Sequence, residues 1–280
     1  MQNATILYLV NTETTDDTIR EAATRAMEGG AHLRCLIHAA VPIMPFNAMG
    51  AAYGNATVAD RWPEEVARAQ SALAARAHDI EVIFANVGVP GEVTLMFCVL
   101  SDIKAHIAAC TRSADLLMIA QNVRETTDVF LECVHAGLFN SPVGLLLNAP
   151  VAHPEGHVFL AWDDGDAASN AVHKALPLLL AAREITIGCF DPVAGDGGKP
   201  SDPGADIAAW LTRHGCQVTL GHYPSGGVDL GTCILNKAAE VGADLIVMGA
   251  YGHSRMRQAI FGGTTRTMLE QSERAVFLGY

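Results

Sequence analysis

Residues Ala243–Leu269 read ADLIVMGAYGHSRMRQAIFGGTTRTML, and the order of textures in this stretch decides the fold. Asp244–Met248 is a short run of Leu, Ile and Val, the composition of a strand buried on both faces of a parallel sheet. Gly249 ends the run, Gly252 follows two residues on, and nine residues later come Gly262 and Gly263. Thr264 and Thr265 then open a helical pattern. Strand, glycine loop and helix start in this order form one corner of an open α/β sheet. Glycine lets backbone amides approach a ligand without a Cβ in between. A helix N-terminus adds unpaired N–H groups and partial positive charge, which suits phosphate. Thr264 or Thr265 can cap that helix or offer a hydroxyl to phosphate. The plainer reading is a corner whose glycines only turn the chain.

Working outward, strand and helix patterns alternate along the whole chain. Strands are expected near Thr5–Val10, Leu33–His38, Glu81–Asn86, Leu116–Ala120 and Val143–Leu147. A second series follows near Val158–Trp162, Glu184–Phe190, Gln217–His222, Asp244–Met248 and Ala275–Leu278. Helices are expected between them, including Asp16–Glu28, Pro63–Ala77, Val93–Cys110, Asp128–Ala136, Ala167–Ala182, Ala205–His214, Val228–Val241 and Thr264–Gln271. Such alternation implies parallel sheets covered on both faces. The two series also match in sequence: ILYLVN at Ile6–Asn11 pairs with VFLAWD at Val158–Asp163, and SADLLMIA at Ser113–Ala120 with GADLIVMG at Gly242–Gly249. A repeat of about 140 residues is a tandem domain; solenoid repeats run about 20–50 residues. The expected units are 1–150 and 151–280, joined through APVAHPEG at 149–156.

The spacing Gly249, two residues, Gly252, nine residues, Gly262 resembles the nucleotide-binding signature of the universal stress protein family, which continues with Ser or Thr. Here Gly263 stands at that next position, and Thr265 falls on a second hydroxyl position just inside the helix. The resemblance implies two tandem Rossmann-like (HUP-type) five-stranded parallel-sheet domains forming an intramolecular pseudo-dimer, packed through their last strands. It implies ATP or a related adenine nucleotide in the second copy, with or without Mg2+. The expected contacts are Asp163, Phe190, Gly249, Gly252, His253, Arg255, Gly262, Gly263, Thr264 and Thr265. Ligands of open parallel sheets sit beyond the carboxyl ends of the strands. There the family's strand-end aspartate, matched by Asp163, meets the adenine or ribose, and Phe190 or Asp191 offers backbone groups to the base. Asp163 is alternatively a helix N-cap, a role open to Asp164 or Asp166 as well. His253, Ser254, Arg255 and Arg257 form a basic island in an acidic chain. Either arginine can neutralise phosphate, or the charges are simply solvated.

The first copy lacks the signature. Asn11 stands for Asp163, Ala120-Gln121-Asn122-Val123 stands for Gly249–Gly252, and Ala136-Gly137 is expected opposite Gly262-Gly263. A structural role follows for that copy, or a different ligand in the same crevice. Ser225-Gly226-Gly227-Val228-Asp229 imitates the pyrophosphate loop of ATP pyrophosphatases but follows the third strand, so it reads as a turn capping the next helix.

Thirty acidic against eighteen basic residues give a net charge of −12, which argues against a nucleic-acid surface or a polybasic membrane anchor. The chain has no apolar run near the roughly 20 residues of a membrane span. Met1-Gln2-Asn3-Ala4 does not read as a signal peptide. Seven cysteines without a CxxC suggest a reducing, cytoplasmic setting. The Cys/His neighbours Cys35/His38, His106/Cys110, Cys133/His135 and His214/Cys216 read as core side chains more than as metal ligands. With no catalytic motif, the chain reads as a nucleotide-dependent regulator or sensor in stress response that hydrolyses ATP slowly at most. The alternative is a nucleotide-free scaffold. A homodimer is the expected higher assembly.

Overall fold

The computed structural model describes residues 2–44, 56–149, 156–191, 202–251 and 262–280. Ten strands form one sheet: β1 (Thr5–Asn11), β2 (His32–Ala40), β3 (Gly91–Cys98), β4 (Leu116–Ile119), β5 (Gly144–Leu147), β6 (His157–Ala161), β7 (Glu184–Phe190), β8 (Val218–Tyr223), β9 (Leu245–Gly249) and β10 (Ala275–Gly279). Their spatial order is β3-β2-β1-β4-β5-β10-β9-β6-β7-β8. Read from either edge inward, the order is the same, so the halves are related by a pseudo-two-fold axis at the centre. Within each half every pairing is parallel. The halves meet where β5 and β10 pair antiparallel, Leu147 opposite Val276 and Leu145 opposite Leu278. The expected pairing of the two last strands is therefore what closes the sheet. Two exposed apolar edges become one buried seam.

The helices are α1 (Asp16–Glu28), α2 (Ala56–Val87), α3 (Ile103–Thr111), α4 (Thr127–Phe139), α5 (Asp166–Ala181), α6 (Ala205–Arg213), α7 (Leu230–Glu240) and α8 (Gly263–Glu270). α1 packs with α2, α3 with α4, and α7 with α8. The central strands β1, β4, β6 and β9 are almost wholly buried, as their unbroken Leu/Ile/Val runs require.

The expectation fails between residues 81 and 102. Glu81–Asn86 is the last part of α2, and the third strand lies at Gly91–Cys98, inside the segment expected to be helical from Val93. EVIFAN has strand-like composition, but Leu73, Ala77, Ile80, Ile83 and Phe84 are buried at three- and four-residue spacing while Val82 is exposed. That is one face of a helix. Gly88, at φ +80°, ends it. Gly91 then lets β3 lie against β2, because a Cβ there would stand 2.4 Å from the Leu33 carbonyl oxygen. A 3₁₀ turn at Leu100–Asp102 leads into α3.

A second correction concerns the repeat. Ala136-Gly137 does not face Gly262-Gly263; it lies inside α4, with Gly137 packed on Leu117. The first copy has only a short 3₁₀ helix, Gln121–Glu125, between β4 and α4. The second copy spends thirteen residues between β9 and α8. The counterpart of the long loop is absent, not altered. Of the expected linker 149–156, residues 150–155, with the boundary between the units, lie outside the described residues.

Candidate functional site

Three strand ends converge in the second copy. β6 runs into Trp162 and Asp163, β7 ends on Phe190, and β9 ends on Gly249. Each is followed by a non-glycine residue in the left-handed region: Asp164 at φ 62°, Asp191 at φ 44° and Tyr251 at φ 64°. Such conformations cost about 1 kcal/mol or more apiece for a residue with a Cβ. Three of the five described examples in the chain ring this one crevice. Asp163 Oδ1 accepts from the Gly165 amide at 3.0 Å, and Asp191 Oδ1 accepts from the Ser225 amide at 2.9 Å. Hydrogen bonding from the Ser225 side chain, and then from its amide, holds the Asp191 carboxyl below its ordinary pKa.

The crevice encloses about 320 Å³, within the range of small-molecule sites. Asp163, Phe190, Gly249, Gly262, Gly263, Thr264 and Thr265 line it, so the structure brings together seven of the ten residues expected from sequence. Gly252, His253 and Arg255 lie outside the described residues. Sequence reasoning missed Ala168, Leu230, Ile234, Met248 and Tyr251, and named Trp162 only as part of a segment. The signal for two of them was present: Leu230 and Ile234 are one turn apart on α7. Trp162, Phe190, Leu230, Ile234 and Met248 give the crevice an apolar slot fit for a flat ring.

At the other end α8 begins. Its N-cap is Gly262, which supplies no side-chain acceptor, so the first-turn amides of Gly263, Thr264 and Thr265 are not capped from within the helix. This is a ready anion site. The hydroxyl of Thr265 is committed elsewhere, accepting from the Tyr251 amide at 3.3 Å, and the residue is buried. Thr265 therefore positions the loop. The Tyr251 phenol is pushed up by burial. Gly249 also has a packing role: a Cβ there would stand 2.4 Å from the Ala168 nitrogen and 2.5 Å from the Ala167 carbonyl carbon. The site's first glycine lets α5 lie on β9. A Cβ at Gly263 would meet only Asp229 Oδ1, at 3.5 Å, an ordinary contact. Asp229 caps α7 by accepting from the Thr232 amide at 3.0 Å, with Gly226 and Gly227 at positive φ before it, so the pyrophosphatase-like run is the expected turn. α7 starts at Leu230, two residues later than expected.

At the corresponding strand ends of the first copy, polar side chains bond to one another. Asn122 Nδ2 donates to Asn11 Oδ1 at 2.7 Å, and Thr14 Oγ1 lies 3.0 Å from Asn122 Oδ1. Arg76 of α2 donates to the Thr14 carbonyl at 2.5 Å. The first copy does reach the second copy's site helix at its far end. Arg124 donates to the Leu269 carbonyl of α8 and to Asn148 Oδ1, while Asn148 Nδ2 reaches the Gln271 and Arg274 carbonyls at 3.1 Å. Among the described residues, no group of three metal-ligating side chains occurs.

Two parallel half-sheets joined edge to edge, one with a glycine-bounded crevice beyond its strands, define a tandem Rossmann-like protein. Residues 225–278, spanning α7 to β10 and the glycine loop, match the model of the Universal stress protein family. A universal stress protein from Archaeoglobus fulgidus is 17% identical, with a TM-score of 0.62, over 99% of this chain and 96% of that one. A putative universal stress protein from Pseudomonas aeruginosa is 14% identical, with a TM-score of 0.50, over 99% of this chain and 92% of that one. No curated protein gives a significant match. The matched family segment lies in the second copy, and the likeness in fold to these structures spans both copies.

Proposed function

We propose that the second copy binds ATP or a related adenine nucleotide and that the chain acts in stress response as a nucleotide-dependent regulator or sensor. The observation that carries this is the pairing, in one crevice, of an apolar slot with the uncapped N-terminus of α8. The slot takes the base and the amides of Gly263, Thr264 and Thr265 take phosphate oxygens. Asp163, at the rim, takes a ribose hydroxyl. Mg2+ would be held chiefly by the phosphates. Asp163 is the one carboxylate among the described lining residues, and its Oδ1 is already bonded to the Gly165 amide. Among the described lining residues no second carboxylate or histidine offers a base, and on this reading hydrolysis is slow at most.

Gly263 in place of a hydroxyl residue favours a second reading, a nucleotide-free scaffold working through protein contacts. Calorimetric titration with ATP separates the two. The nucleotide reading expects saturable binding by the wild type and none by Gly252→Val, which puts a branched side chain into the glycine loop. Val123→Ile in the first copy leaves binding unchanged. Absence of binding at millimolar ATP, or equal binding by Gly252→Val, leaves the scaffold.

A further inference from the structure

The two copies differ in how their first helix sits. In the second copy α5 lies directly on β9 and β10, because Gly249 and Gly279 present no side chain to it; a Cβ at Gly279 would stand 2.4 Å from the Ala171 Cα. The first copy has Ala120 where the second has Gly249. Met118 pairs with Leu146 as its counterpart Val247 pairs with Phe277, which makes Asn148 the counterpart of Gly279. Both glycines are thus replaced by larger residues, and α1 packs chiefly on α2 and β2. A crevice of about 660 Å³ remains between α1, the 3₁₀ helix Gln121–Glu125 and the ends of β4 and β5.

Its lining is polar. Thr15, Thr18 and Glu21 come from α1 and its cap, Gln121, Asn122 and Glu125 from the 3₁₀ helix. No lysine or arginine lines it. Tyr8 of β1 forms part of the wall, is only 7% exposed, and its hydroxyl makes no hydrogen bond among the described residues. The hydroxyl is not sealed within the core, and it opens onto the crevice. Burial, then the Cys35 thiol and the Glu21 carboxylate, push its pKa up, so it stays a neutral donor and acceptor. Glu21 meets Arg25 through Oε1 at 3.1 Å, which leaves Oε2 uncommitted, and Glu125 is exposed.

We infer that this crevice is a second ligand site, separate from the glycine-loop crevice, and that it takes a small organic amine. The ammonium group sits between the Glu21 and Glu125 carboxylates and donates to the Tyr8 hydroxyl, while the Thr18 hydroxyl and Gln121 amide serve a further polar end. An anion is disfavoured there, because two carboxylates face it and no lining cation does. The first copy thus keeps a crevice at the strand ends but has exchanged phosphate chemistry for cation chemistry.

The test is calorimetric titration of the full chain with putrescine, set beside the neutral diol of the same length. Saturable putrescine binding at one site is expected, with no heat from the diol. Tyr8→Phe removes only the unbonded hydroxyl and is expected to weaken binding roughly tenfold. Glu125→Gln is expected to weaken it several-fold, and Gly252→Val not at all. Thermal melting confirms that each variant folds. Equal binding of the diol overturns the amine assignment. No binding at millimolar putrescine, or binding indifferent to both Tyr8→Phe and Glu125→Gln, overturns the site; the second result would mean loose attraction to an acidic surface. None of these outcomes depends on whether ATP binds the second copy.

Discussion

Gly249 offers a direct test of what the site glycines are for. Changing Gly249 to Ala adds one methyl group. That carbon would lie 2.4 Å from the Ala168 nitrogen, 2.5 Å from the Ala167 carbonyl carbon and 2.9 Å from the Ala167 oxygen. Carbon contacts are comfortable at about 3.5–4.0 Å, so the methyl intrudes by roughly 1 Å on three atoms. All three are backbone atoms of the first turn of α5, and they move only if the helix moves. Overpacking of this kind costs about 3 kcal/mol. The alanine reduces the freedom of the unfolded chain and returns about 0.5–1 kcal/mol. The net loss is about 2 kcal/mol. Gly263→Ser is the matched control, since its Cβ meets only Asp229 Oδ1 at 3.5 Å. Urea titration followed by far-ultraviolet circular dichroism reads both. Gly249→Ala is expected to lower the midpoint clearly, and Gly263→Ser to stay within about 0.5 kcal/mol of wild type. If Gly249→Ala is as stable as wild type, the packing argument is wrong and ligand approach alone accounts for that glycine.

Two further outcomes follow from the contacts described. Arg124→Met keeps the bulk that covers Phe130 but removes the donors to Leu269 and Asn148; it is expected to cost about 2 kcal/mol in urea midpoint and to weaken ATP binding by loosening the far end of α8. His38 is buried, its Nε2 has no hydrogen bond, and burial lowers its pKa below the ordinary 6.5. The unfolded chain therefore takes up the proton first, and stability falls as pH drops through 6.5 toward the folded value. His135, lowered by burial and then by Lys104, acts in the same direction. His38→Phe is expected to flatten that acid limb in urea midpoints measured across the range, and an unchanged slope would remove His38 from the account.

Much of the fold was legible because two signals agreed. Apolar runs such as LLMI and LIVM mark strands buried on both faces, and their recurrence about 130 residues apart marks the duplication. The seam was legible from Val143–Leu147 and Ala275–Leu278, short apolar edges that water would not tolerate. The third strand was not, because β-branched and aromatic residues in EVIFAN mimic a strand while tertiary packing draws them onto a helix face. Composition cannot tell these apart; the three- and four-residue spacing from Leu73 to Phe84 could have. At the site, glycine spacing located the crevice but not the division of labour within it. Gly249 serves α5 and Thr265 serves Tyr251, and both partners come from contacts invisible along the chain. The fate of the first copy's loop was misjudged because a one-to-one alignment assumes substitution where the chain had shortened.

The central seam has a consequence in time. β5 is complete at Leu147, yet its partner begins at Ala275. At about 5–20 residues per second, the ribosome needs roughly 6–25 seconds to make the intervening stretch. Through that interval the first half carries an open edge of Gly144 and three leucines, already shaped for an antiparallel partner. On a crowded message, the nearest such edge belongs to the neighbouring nascent chain. Two growing chains can then join β5 to β5 in the geometry that β10 later claims. The fusion that makes the mature sheet self-sufficient leaves each chain, while it is being made, briefly sociable.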